Sequence, residues 1–110
     1  MVIQKNCEFI TDLATPIVSK VFSNTNGDVL TLSVYGATGL CHLEGRNTSK
    51  GDWVSLAGIN LNDLSATKGG ITKPGIYEFG IVGIRELRVK LEKADGNISV
   101  FGQIISTEET

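Results

Sequence analysis

The stretch that decides the fold reads LRVKLEKADGNISVFGQII, residues 87–105. Leu87, Val89 and Leu91 alternate with Arg88, Lys90 and Glu92. After a polar break, Ile98, Val100, Gly102 and Ile104 alternate with Ser99, Phe101, Gln103 and Ile105. A period of two marks a half-buried strand, because successive side chains point to opposite faces. Between the runs lies Ala94-Asp95-Gly96-Asn97. Asp-Gly between alternating segments favours a reversal at positive φ, so the pattern predicts a β-hairpin here.

The same reading extends outward. Leu30, Leu32 and Val34 alternate with Thr31, Ser33 and Tyr35 across residues 29–35, entered through the turn signal Ser23-Asn24-Thr25-Asn26-Gly27. Residues 4–10 and 16–22 are β-rich and separated by a polar break. Residues 40–45 and 53–59 flank a polar loop, and a glycine-rich segment, 69–75, precedes residues 77–81. About eight short strands, spaced every ~10–14 residues, predict an all-β antiparallel sandwich or barrel rather than βαβ units. Residues 61–66 have room for one helical turn, and the polar tail 106–110 is expected to be flexible. No linker or exact repeat divides residues 1–110, which read as one domain.

Composition narrows the function classes. The chain has 110 residues, 41% of them apolar, which is enough for a core without metal or disulfide staples. A net charge of −2 with interspersed signs provides no basic face for nucleic acid. No apolar run approaches the ~18 residues that span a membrane. The N-terminus lacks both a basic start and an apolar h-region, so a protein kept inside the cell or released by lysis is expected. Cys7 and Cys41 each sit in an apolar run, which favours two buried thiols over a bridge.

Candidate chemistry is sparse. His42 is the only histidine, and its neighbour Cys41 points to the opposite strand face, so the adjacent pair cannot form a dyad. There is no Cys-x-x-Cys and no second histidine for zinc. Asp28, Asp52, Asp63 and Asp95 lie in or beside turns, where local hydrogen bonding favours aspartate. Gly36-Ala37-Thr38-Gly39 and Gly69-Gly70 lack the Gly-Lys-Ser/Thr of a phosphate loop. No catalytic residue, metal site or cofactor is expected.

What remains is the loop EGRNTSKGDWVSL, residues 44–56, with the only tryptophan. As a sugar platform, Trp53 would act with Tyr35 or Tyr77. As a core cap, its ring would close the end of the interior with its N–H on a loop acceptor. As an interface anchor, it would fill a partner's pocket. Gly45 and Gly51 permit the turn, leaving Arg46, Lys50 and Asp52 as a polar tip suited to recognition.

The order of segments resembles small β-sandwich domains of tailed-phage structural proteins. "LEG" leads through a polar turn to "GDW" and "VSLAGINL", and later comes "GIYEFGIVGIRELRVKL". Glu44, Gly45, Gly51, Trp53 and Leu56 carry the first part of the likeness. Gly75, Tyr77, Gly83, Leu87, Arg88 and Val89 carry the second. The sequence departs from the pattern where Asp-Gly is replaced by Ser-Lys-Gly-Asp. The resemblance covers residues 28–105 and implies a jelly-roll sandwich without enzymatic activity. Such a protein would be made in the host cytoplasm and carried in the virion as a head decoration, head-fibre or tail accessory subunit. Implied partners are the major capsid or tail proteins and further copies of the chain. Some such domains bind host surface glycans instead. Residues 1–16 lie outside the resemblance and are the expected contact with a partner chain.

Overall fold

The computed structural model describes residues 2–107, among which every regular element is a β-strand. These are β1 (Val2–Leu13), β2 (Ile17–Val18), β3 (Phe22–Ser23), β4 (Val29–Arg46), β5 (Val54–Ser55), β6 (Ile59–Asn60), β7 (Gly75–Gly80) and β8 (Glu86–Thr107). All pairings are antiparallel. The sheet runs β1-β8-β4-β7-β6, with β2 and β3 joining β8 and β5 joining β4.

The expected hairpin at Asp95-Gly96 does not form. Residues on both sides of it belong to one strand, β8, whose two halves pair with β4 rather than with each other: Val100 opposite Val34, and Leu91 opposite Cys41. Residues 29–35 and 40–45, read as separate strands, are likewise the two halves of β4. Gly36 faces Ile98 and Thr38 faces Ala94, so residues 95–97 stand opposite residue 37 alone. The extra residues form a bulge, which bends a strand and resets the side on which its residues point. Buried positions accordingly change from 30, 32 and 34 to 41 and 43 along β4, and from 87, 89 and 91 to 98, 100 and 104 along β8. The positive φ that suggested a hairpin turn is used in the bulge, at Gly36 (96°) and Gly96 (155°).

The bend builds the sandwich. A straight strand as long as β8 would span roughly 70 Å at about 3.3 Å per residue, yet the longest dimension of the molecule is 45 Å. The ends of β4 return toward each other. Ile81 donates its N–H to Asp28 O (3.0 Å) at one end, and Arg85 donates to Arg46 O (3.0 Å) at the other. One layer therefore holds β1, β6, β7, residues 29–36 of β4 and residues 98–107 of β8. The other holds β2, β3, β5 and the remaining halves of the long strands. Between them lies one core, with Leu30, Leu32, Phe79, Ile98 and Val100 facing Leu43, Leu87, Val89 and Leu91. The antiparallel sandwich expected from the sequence is the architecture observed.

Smaller elements differ in extent. Residues 16–22 divide into β2 and β3, and residues 53–59 into β5 and β6. The expected turn near 61–66 is a single hydrogen bond, Leu64 N–H to Asn60 O (2.7 Å). Of the tail 106–110, Ser106 and Thr107 end β8 opposite Ile3 and Val2; residues 108–110 lie outside the described residues. Cys7 and Cys41 are both free and buried.

Candidate functional site

Loop 47–53 connects β4 to β5, with Gly45 opposite Val54 and Glu44 opposite Ser55. Alternation decides where Trp53 goes. Leu56 packs against the core and donates its N–H to Leu43 O (2.8 Å), whereas Ser55 bonds His42 on the other face. Trp53 shares the side of Ser55, so its ring lies over the outer face of the sheet instead of capping the core. There the guanidinium of Arg46 is 4.3 Å from the ring centroid and that of Arg88 is 4.2 Å. Each arginine also holds a carboxylate: Arg46 Nε–Glu86 Oε1 at 2.7 Å and Arg88 Nε–Glu44 Oε1 at 2.8 Å. These residues are cross-strand neighbours, Arg46 opposite Glu86 and Glu44 opposite Arg88. Two ion pairs and one indole thus form a charge-balanced brace that holds the loop exit. Arg88, matched in the resemblance but given no role by the sequence reading, is part of that brace.

The rest of the expected site is dispersed. Lys50 and Asp52 are exposed in the loop, which is turned by Gly51 N–H to Thr48 O (3.1 Å). Tyr35 lies on the other half of β4, opposite Ser99 and 54% exposed, with its ring centroid 6.1 Å from that of Phe101. Tyr35 and Trp53 therefore do not form one platform. Tyr77 is buried and donates its hydroxyl to Lys73 O (2.6 Å).

His42 lies between two groups on the outer face. Its Nδ1 is 3.3 Å from Ser55 Oγ, and its Nε2 is 3.6 Å from Glu92 Oε1. The second distance exceeds that of a hydrogen bond, and Ser55 sits exposed on a short strand instead of a strained elbow. The order serine–histidine–carboxylate is present without the geometry of an activated nucleophile. The thiols are equally subdued. Burial pushes Cys41 up to about 12, and burial also raises Cys7, opposed by the charges of Lys5 and Lys20. Among the described residues no group of three histidine, cysteine or acidic side chains is placed to hold a metal.

A feature the sequence reading missed stands at the end of the sandwich opposite the bend. Asn24 was read only as part of a turn, yet it is 6% exposed. Its amide donates to Ile84 O (2.8 Å), Ile81 O (3.3 Å) and Gly27 O (3.4 Å), while its oxygen accepts from Gly27 N–H (2.7 Å). Asn24 N–H also donates to Arg85 O (2.8 Å). This side chain ties the loop of residues 24–28 to the turn of residues 81–85 and closes the sandwich. The only cue in the sequence was an asparagine three residues before a glycine, a pattern common to many turns. Between this loop and turn is a cleft of about 330 Å³, and a hollow of about 190 Å³ lies on the loop's other side, beside Lys5.

The geometry defines a small antiparallel β-sandwich with a charged outer face and a cleft at its closed end. Two solved structures share this fold. SPBc2 prophage-derived protein YomS superposes with a TM-score of 0.86 at 16% identity, covering 96% of each chain. PBSX exported protein XepA gives the same TM-score at 17% identity over 96% of this chain, which spans 38% of XepA. No protein-family model and no curated protein matches the sequence.

Proposed function

We propose that the chain is a non-enzymatic structural protein of phage origin, carried in the particle as an accessory or decoration subunit bound to capsid or tail proteins. The observation that supports this most is the sharing of the fold, end to end, with a prophage-derived protein of matching length. The physical reading agrees. A rigid two-layer core presents β1 at its margin, paired on one side with β8. A strand margin of this kind can take up a neighbouring chain through backbone hydrogen bonds. The N-terminal segment 1–16 is the part assigned to that contact, with self-association as its homo-oligomeric form. Mass spectrometry of purified particles tests the proposal and should find many copies per virion. Presence only in the lysate, never in particles, sinks it.

A second reading is a module that attaches the particle to a host surface glycan, and the end cleft favours it. Binding on a broad glycan array supports this reading, and the absence of binding removes it.

A further inference from the structure

We infer that the cleft at the closed end of the sandwich is a binding site for a small acidic sugar. The inference rests on the second, glycan reading and moves its site away from Trp53. The cleft lies between residues 24–28 and 82–85, and the end of β8 supplies Ser106. Its volume of about 330 Å³ is at the lower end of the range for small-molecule sites, about 300–1,000 Å³.

Three observations give the cleft a chemistry. Ser106 is only 6% exposed, and among the described residues nothing bonds its hydroxyl. Every buried side-chain polar atom among the described residues has a partner, so this unpartnered hydroxyl is one that the cleft leaves open to solvent and to a ligand's polar group. Arg85 is exposed, and both its backbone groups are engaged, by Arg46 and Asn24. Its guanidinium forms no ion pair among the described residues, unlike those of Arg46 and Arg88. Asn26 adds an amide to the lining, and Ile84 adds an apolar wall.

Each part matches one part of the ligand. A planar guanidinium pairs with a carboxylate or phosphate. Hydroxyl and amide groups exchange hydrogen bonds with neighbouring sugar hydroxyls. The apolar wall accepts the C–H face of the ring. The positions are also well held, because the Asn24 tie fixes both the loop and the turn that form the walls.

The test is a ¹H–¹⁵N NMR titration of the full chain with D-glucuronate, D-glucose and inorganic phosphate as separate probes. Glucuronate should give saturable shifts at residues 24–28, 82–85 and 106. Glucose and phosphate, each meeting only half of the site, should bind at least about tenfold more weakly. Arg85→Gln should reduce glucuronate affinity to that of glucose, and Ser106→Ala should lower it while leaving the remaining spectrum unchanged. The inference is overturned if glucuronate gives no saturable shifts, or if Arg85→Gln leaves them intact. It is also overturned if phosphate binds as tightly as glucuronate, which would indicate a bare anion patch. Array binding that survives Arg85→Gln would keep the glycan reading while removing this site.

Discussion

Replacing Asn24 probes what closes the sandwich. Its side chain is 6% exposed and serves three carbonyls and one N–H, its strongest bonds being those to Gly27 N (2.7 Å) and Ile84 O (2.8 Å). Asn24→Ala removes these bonds and leaves the partly buried carbonyl of Ile84 without its side-chain donor, whereas Ile81 O still accepts from Ile84 N–H (3.0 Å). A net hydrogen bond contributes about 1 kcal/mol, and a stranded buried group costs about 1–3 kcal/mol, so the expected loss is roughly 2–4 kcal/mol. For a domain of this size that lowers Tm by about 10–20 °C. The informative companion is Asn24→Asp, which keeps the shape but turns the donor into a second acceptor oxygen facing three carbonyls. It should cost more than the alanine at pH 7. Urea denaturation of the two variants, with exposed Asn47→Ala as the control, gives the comparison. A loss below about 0.5 kcal/mol, or an aspartate variant as stable as the native chain, refutes the claim that this amide holds the layers together.

Three further expectations follow from the same geometry. At Gly36, φ is 96° and an added Cβ would run into the carbonyl oxygen of Asn97, so Gly36→Ala should cost about 2 kcal/mol or more in the same denaturation assay. Trp53→Ala should cost about 1–2 kcal/mol, with a coupling energy to Arg88→Ala of about 0.5–1 kcal/mol in a double-mutant cycle; zero coupling would show that the ring and guanidinium do not interact. Cys41 ionises at about 12 when native but near 9.0 when unfolded. The unfolded state therefore loses its proton first, and stability falls by roughly 1 kcal/mol per pH unit between those values. Cys41→Ala should flatten that decline, and the native thiol should resist a disulfide reagent at pH 8 until the chain unfolds.

The fold class was legible because burial on one face imposes a period of two, and residues 29–35, 87–92 and 98–104 show it plainly. The connection was not legible. Asp95-Gly96 supplies a flexible, polar break with positive φ, and a hairpin turn and a strand bulge make the same demand on sequence. The surroundings of Trp53 were hidden for a related reason. The run Trp53-Val54-Ser55-Leu56 looks like a core strand if tryptophan is counted by size. In the structure Leu56 packs inward and Ser55 faces His42, so Trp53 falls among charges. The partners that make this favourable, Glu86 and Arg88, lie 33 and 35 residues after Trp53 and become neighbours only through the β4–β8 register. Asn24 was invisible as a closure for the same reason: its acceptors at Ile81 and Ile84 are 57 and 60 residues away.

The change in parity between the two halves of each long strand carries more information than either half alone. In β4 the buried positions move from even to odd numbers, and in β8 from odd to even, across the same point of the sheet. A break in one strand could be a turn. Two breaks that face each other in antiparallel register mean that the strands bend together. Because the inward face stays apolar through the bend, the same pair of strands can supply both walls of one core. The closing burden then falls on the far end, where the walls must be tied without a continuous strand, and Asn24 meets it with backbone-directed bonds. The loop and turn so fastened are also the walls of the cleft. Ligand binding there and stability of the closure are therefore linked, and a bound sugar should raise Tm less in Asn24→Ala, whose walls are no longer fixed, than in the native chain.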